Sequence, residues 1–271
     1  MAIKIGLTGS SGSIGKILIK YKKKNVKFSF FKDDITKKSK VHQWVKKNKL
    51  KTIIHLAAKV PIKEVNKNKK NAWKINYLGT KYIVDACLKE NVEWFFFAST
   101  SHVYSSSKKK ISENSKLNPI SFYGKTKFEA ENYIIKKFKK KKIRYCIGRI
   151  FSTTNSSQKK NYLVPDLKNK IKRAKGNIIL KNLNHYRDFI SMKDISKIIF
   201  VLFRYRYQGI INLGTGKKVY LKKIAIIISR KYKKGLIFSD NKHPSHLVAN
   251  IKKLKKIYKY RLITKIEKMI F

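Results

Sequence analysis

Tyr123 and Lys127 stand four residues apart at the start of a helical pattern, so both side chains leave one face. A phenol can give a proton to a carbonyl or take one from an alcohol. An ammonium group held beside it lowers its pKa from about 10 toward the working range. In a chain with 15 Tyr and 67 Lys+Arg the string alone is weak, and its bland reading is a surface pair. Its context strengthens it. Phe96-Phe97-Ala98-Ser99-Thr100-Ser101 closes a buried strand, and hydroxyls at the C-terminal end of such a strand face the ligand crevice of a parallel sheet. Thr100 is thereby suited to orient a reacting oxygen, while Ser99 and Ser101 serve equally well as caps.

Glycines form the second group. The segment Lys4-Ile5-Gly6-Leu7-Thr8-Gly9-Ser10-Ser11-Gly12-Ser13-Ile14-Gly15 runs from an apolar strand into a helical pattern. In such a βα unit Gly9 permits the turn, Gly12 lets backbone approach a pyrophosphate, and Gly15 lets the helix pack closely. The free N–H groups at the helix start then face the anion. A tight turn of any α/β protein is the alternative reading. With the hydroxyl, phenol and lysine added, the set describes a nicotinamide-dependent enzyme.

The elements that must position these groups follow from periodicity. Strands are expected over residues 2–8, 25–31, 52–58, 92–98 and 143–150, and helices over 13–24, 39–49, 69–91 and 122–140. That alternation predicts a doubly wound parallel sheet. After Arg149 it loosens into the polar loop 152–158. Helices follow near 165–174, 191–205 and 250–258, with a short strand over 210–213. The expected division is a dinucleotide-binding core over 1–150 and a smaller substrate lobe over 151–271, with segments returning to the core around 187–215.

Composition bounds the rest. At 271 residues, 42% hydrophobic and 12% aromatic, the chain has ample material for a core. Its apolar runs, such as 198–203 and 224–228, are too short to span a bilayer, and nothing like a signal peptide precedes the first strand, so the expected compartment is the cytoplasm. Cys87 and Cys146 lie in apolar-periodic segments without the neighbours of a metal site, which favours buried thiols and no metal. The net charge of +53 attracts polyanions, and a polyanion-binding or non-catalytic cofactor-binding protein is the rival reading. Lysines scattered over polar helix faces, few arginines and no nucleic-acid module favour a lysine-biased composition over a specific nucleic-acid partner.

The ordered set of motifs resembles the extended short-chain dehydrogenases/reductases, in the NAD-dependent epimerase/dehydratase family that acts on nucleotide sugars. The stretches that carry the resemblance are Thr8-Gly9-x-x-Gly12-x-x-Gly15, Asp34-Ile35, His55-Leu56-Ala57-Ala58, Asn76-x-x-Gly79-Thr80, Ser99-Thr100-x-x-Val103-Tyr104, Asn118-Pro119-x-x-x-Tyr123-x-x-x-Lys127, Arg187-Asp188-Phe189 and Asn212-Leu213-Gly214-Thr215-Gly216. The resemblance implies an α/β fold of the Rossmann type with a smaller C-terminal lobe. It also implies NAD or NADP as cofactor, and a nucleotide sugar as substrate.

In this resemblance Thr100, Tyr123 and Lys127 correspond to the catalytic hydroxyl, acid/base and lysine. Gly9, Ser11, Gly12, Ser13, Ile14 and Gly15 correspond to the pyrophosphate turn, Asp34 and Ile35 to the adenine contact, and Ala57, Ala58 and Lys59 to the wall beside the nicotinamide ribose, which Lys127 would also hold. Arg187 is placed to meet the diphosphate or base of the substrate, with a structural ion pair to Asp188 as the alternative. Asn76 reads as a supporting residue.

Family dehydratases carry an Asp-Glu pair directly after the catalytic hydroxyl, where this chain has Ser101-His102, so dehydration is not expected and His102 reads as structural. The C-terminal lobe is expected to be trimmed. Asp33 is spaced to bind an adenosine 2′-hydroxyl, while Lys32 could serve a 2′-phosphate. The expected reaction is hydride transfer at a sugar ring carbon, C4, by a 4-keto reductase or a 4-epimerase. The loop Thr154-Asn155-Ser156-Ser157-Gln158 resembles the Thr-Gly-x-Gly-Gln segment of the reductases, with both glycines replaced, and tips the reading toward reduction. No membrane partner is expected, and a homodimer is left open.

Overall fold

The computed structural model describes residues 2–141, 143–155, 158, 161–240 and 243–271. The first half runs β1 (Ile3–Thr8), α1 (Ser13–Lys20), β2 (Val26–Phe30), α2 (Lys38–Lys47), β3 (Thr52–His55), α3 (Ile62–Lys67), α4 (Lys69–Trp73), a π-helical turn (Lys74–Leu78), α5 (Gly79–Lys89), β4 (Trp94–Thr100), a 3₁₀ turn (Ser101–Val103), α6 (Phe122–Lys141) and β5 (Arg144–Ile150). The second half runs β6 (Ser152–Thr154), α7 (Leu163–Arg173), β7 (Ile178–Lys181), β8 (Tyr186–Arg187), β9 (Phe189–Ser191), α8 (Met192–Arg204), β10 (Gly209–Leu213), β11 (Val219–Tyr220), α9 (Leu221–Tyr232), β12 (Leu236–Ser239), β13 (His246–Leu247), α10 (Lys252–Ile257) and α11 (Glu267–Ile270).

Six parallel strands form the main sheet in the order β10-β5-β4-β3-β1-β2. Successive residues of β4 show why. Trp94 and Phe96 pack with Ile5, Leu7, Ile54 and Ile198 on one face, and Phe95 and Phe97 pack with Val41, Ile83 and Ile134 on the other. A strand covered on both sides reads as an unbroken apolar run, which is the signature of a buried parallel sheet. Fully burying one such side chain contributes about 1.5–3 kcal/mol.

Strand order reverses between β1 and β3, which opens a crevice at their C-terminal ends. The chain returns to this sheet late: β10 pairs with β5, and α8 packs on α1. A separate cluster, including Leu167, Ile171, Ile224, Ile228, Met269 and Ile270, forms the core of the second lobe. No described helix is long and apolar enough to cross a membrane.

Candidate active site

The glycine turn lies at the strand-order switch. Gly9 has φ +73°, and a Cβ there would come within 2.6 Å of the Ala57 amide nitrogen and 2.7 Å of the Leu56 carbonyl carbon. Only glycine meets both the left-handed conformation and that approach. A Cβ on Gly15 would lie 2.3 Å from the Gly9 carbonyl oxygen, so the residue allows helix α1 to close on the turn rather than on the strand. Gly12 caps α1, and no side chain caps that helix start. The first-turn amides therefore offer an anion cradle, which fits a dinucleotide's pyrophosphate.

Thr8, His55 and Thr80 clamp the crevice from below. Thr80 Oγ1 donates to the Asn76 carbonyl at 2.7 Å, so it accepts from His55 Nε2 at 2.9 Å. His55 Nδ1 then accepts from Thr8 Oγ1 at 2.6 Å, and Thr8 Oγ1 accepts from the Ala57 amide at 3.2 Å. Every proton in the chain is assigned. Burial first, then the Lys127 charge, holds the His55 imidazole down to about 3, so it stays neutral.

A cavity of about 810 Å³ opens above this crevice. Its wall brings together Gly9, Gly12, Ser13, Ile14, Gly15, Ala58, Thr100, Tyr123 and Arg187. Of the remaining expected site residues, Ser11, Asp34, Ile35, Ala57, Lys59 and Lys127 are not part of this wall. Asp34 is exposed and its carboxylate accepts from the Thr36 amide at 2.9 Å and hydroxyl at 2.8 Å, while Ile35 is buried against Gly79. Ala57 backs the Gly9 turn.

The Lys59 backbone is gripped by Asn76, whose Oδ1 accepts from Lys59 N at 2.7 Å and whose Nδ2 donates to Lys59 O at 3.1 Å. Asn76 Nδ2 also donates to Thr126 Oγ1 at 3.1 Å, and Thr126 donates to the Tyr123 carbonyl at 2.8 Å. Asn76 thus ties the crevice wall to the first turn of α6 from its place in the π turn.

Thr100 ends β4 and Tyr123 opens α6, and both side chains line the cavity. Burial raises the Tyr123 phenol above its ordinary range, Tyr162 adds to the rise, and the neighbouring Thr100 hydroxyl opposes it. The expected lowering by Lys127 is absent from this balance. Lys127 is buried, with Nζ 3.9 Å from the centroid of the Phe97 ring, and burial brings it down to about 7 against the opposing pull of Glu131. Its charge is directed onto that ring and along the helix, not onto the phenol.

His102 also lines the cavity, its ring edge-on to Tyr123 at 6.1 Å, and burial followed by the Arg187 charge lowers it to about 4. Arg187 is not paired with Asp188. Its guanidinium donates to the carbonyls of Tyr186 (2.7 Å) and Ser245 (3.0 Å) and to Ser245 Oγ (2.9 Å). Asp188 is buried among four donors: Thr215 N and Oγ1, Gly216 N and Ala249 N.

Sequence reasoning passed over Glu131 and Arg149. They form a buried bidentate pair, Nη2 to Oε2 at 2.7 Å and Nε to Oε1 at 3.2 Å, and Ser99 Oγ donates to the same carboxylate. Arg149 Nη1 further donates to Tyr104 Oη at 2.9 Å, which donates to Asn212 Oδ1 at 2.7 Å. The available signal was phase. Glu131 stands one more turn along the face that carries Tyr123 and Lys127, and acids are scarce in this chain. In the loop after β5, Ser156 and Ser157 lie outside the described residues. Gln158 lines the cavity, as does Thr153, and Gln158 Oε1 and Thr153 Oγ1 are buried without a protein partner among the described residues.

Fold and site together define a dinucleotide-fold protein of the nicotinamide type, with a hydroxyl and a phenol converging on one cavity. The model of the NAD dependent epimerase/dehydratase family matches residues 5–214, and the chain belongs to that family. It is 30% identical over 224 residues to a GDP-6-deoxy-D-talose 4-dehydrogenase of Aggregatibacter actinomycetemcomitans, covering 79% of this chain and 75% of that one. It is 28% identical over 231 residues to a dTDP-4-dehydro-6-deoxyglucose reductase of Escherichia coli, covering 83% and 72%. The fold is similar to that of RMD from Pseudomonas aeruginosa, solved with NADPH, at TM-score 0.88 and 17% identity, covering 99% of this chain and 96% of that one.

Proposed function

We propose that the protein is an NAD- or NADP-dependent oxidoreductase that transfers hydride at C4 of a nucleotide sugar, working as a 4-keto reductase. The observation that carries this reading is that Thr100 and Tyr123 share the wall of one cavity with the glycine turn and the uncapped start of α1. The cofactor supplies or receives the hydride. In this reading the Gly9–Gly15 turn holds its pyrophosphate, Asp34 and Ile35 meet the adenine end, and Ala57, Ala58, Lys59 and Lys127 border the nicotinamide ribose.

Tyr123 moves the proton. Burial keeps its phenol protonated, as a general acid for a carbonyl must be, and Thr100 orients the oxygen that receives the proton. On the opposite wall Arg187 faces the substrate's diphosphate or base. Gln158 Oε1 and Thr153 Oγ1, buried without partners, can accept hydrogen bonds from sugar hydroxyls. Ser101-His102 provides no carboxylate to remove water, which argues against dehydration. Residues 1–150 would then serve the cofactor and the lobe after 150 the substrate, with 187–215 bridging back; a homodimer is part of the proposal.

The test is incubation with a 4-keto-6-deoxy sugar nucleotide and C4-deuterated reduced cofactor. Stoichiometric deuterium in the product, with cofactor consumed, is expected. Interconversion of two hexose nucleotides without net cofactor consumption would replace the reductase by an epimerase.

A further inference from the structure

On α6 the side chains of Tyr123, Lys127 and Glu131 recur every four residues, and all three are buried. Lys127 Nζ lies over the Phe97 ring of β4, and its charge bears on the neutral His55 of β3. One turn farther along α6 stands Glu131, held by Ser99 from β4 and Arg149 from β5. Glu131 is the anion among them. Its carboxylate cannot turn away, because Arg149 grips it through two nitrogens and Ser99 donates to it as well.

We propose that Glu131, locked by Arg149 and Ser99 one helical turn beyond Lys127, is a positioning residue that keeps the Lys127 ammonium group charged. The physical argument is one of competing magnitudes. A lysine taken out of water loses its proton readily, and an opposite charge one helical turn away restores the charged form by roughly one to three pKa units. Burial is the larger influence on Lys127 and Glu131 the opposing one, which leaves the group poised near neutrality at about 7. The pairing with Arg149 does not cancel this influence, because Arg149 lies on the β5 side of the carboxylate, bonded to Tyr104 and the Glu113 carbonyl. The bonded network runs from Glu131 through Arg149 to Tyr104 and Asn212 on β10, so the carboxylate one turn from Lys127 is tied to the strand that joins the two halves of the chain.

The inference deepens the proposed function and can be measured without any ligand. Lysine is labelled with ¹³C at Cε, and the Lys127 resonance, displaced from the solvated lysines by the Phe97 ring current, is identified by its loss in Lys127→Met. In Glu131→Gln the Lys127 titration midpoint should fall by at least about one pH unit. Glu131→Asp should keep it near the parent value. If Glu131→Gln does not fold, Glu131→Gln/Arg149→Met, which removes the guanidinium together with its partner, carries the same expectation. An unchanged midpoint in a folded Gln variant overturns the proposal. A shifted midpoint together with NADH binding that ignores pH supports the positioning role while removing Lys127 from the cofactor site, so the two readings fail separately.

Discussion

On the floor of the cavity Thr100 ends a seven-residue strand and Tyr123 opens a twenty-residue helix, whereas across from them Arg187 stands on a strand of two residues. Each side has a buried carboxylate, and the two are satisfied in different ways. Glu131 beneath the floor is paired with a guanidinium, while Asp188 in the roof accepts from backbone amides and one hydroxyl. Proton transfer needs geometry fixed to a fraction of an ångström, and long parallel elements with an ion pair behind them supply it. Recognition of a substrate tolerates a wall stitched from loops, which can vary without disturbing the sheet.

The contrast is sharpest at Tyr123. Tyr123→Phe removes the transferable proton and little contact area, so turnover should fall by about 10²–10⁴ with NADH affinity nearly unchanged. Steady-state rates and fluorescence titration read the two quantities. Near-normal turnover would take the acid/base role away from the floor.

Asp188→Asn tests the roof. An amide in that place keeps one accepting oxygen and turns an NH₂ toward the donors of the other, so two of the four bonds are lost, at a cost of about 2–3 kcal/mol in urea unfolding. Activity in the folded fraction should show a larger rise in KM than loss in kcat. An equal loss in kcat would mean that the roof, too, sets the chemistry.

The third contrast concerns acid. The His55 imidazole ionises near 3 in the fold and near 6.5 in a free chain, so as pH falls the unfolded chain takes up a proton that the native state refuses. Stability is therefore complete above about pH 6.5 and is lost below it at about 1.4 kcal/mol per pH unit for this group. His102, held at about 4, adds to the slope. Urea midpoints measured at several pH values should show a shallower acid decline in His55→Gln than in the parent, and identical slopes would deny His55 its buried, neutral state.

These differences track what could be read from the chain. The sheet half was legible because strands covered on both faces leave apolar runs such as Trp94-Phe95-Phe96-Phe97. The expected strand over 52–58 was too long, since after His55 the backbone leaves the ladder to meet the glycine turn. The roof was not legible. Strands of two to four residues, such as Ile178–Lys181 and Leu236–Ser239, are too short for alternation to register, and lysines break it further. The run 224–228, conspicuous only as apolar, belongs to α9, where Leu221, Ile224, Ala225 and Ile228 share the buried face. At the site, residue types singled out Thr100, Tyr123 and Lys127 as candidates, but the place of Lys127 over the Phe97 ring depends on how α6 packs on β4.

The helical stretch expected over 69–91 is interrupted by the π turn at Lys74–Leu78, and that interruption changes helical phase. Each residue of an α-helix advances the azimuth by about 100°, so one extra residue in a turn rotates everything downstream relative to everything upstream. Before the shift, Ala72 packs with Tyr123; within it, Asn76 grips Lys59 and Thr126. After it, Ile83, Val84 and Cys87 settle into the sheet's core. A uniform helix has one apolar direction, and this one has two. Part of the site is therefore encoded in how many residues lie between Trp73 and Gly79, a property that replacing side chains one at a time leaves untouched.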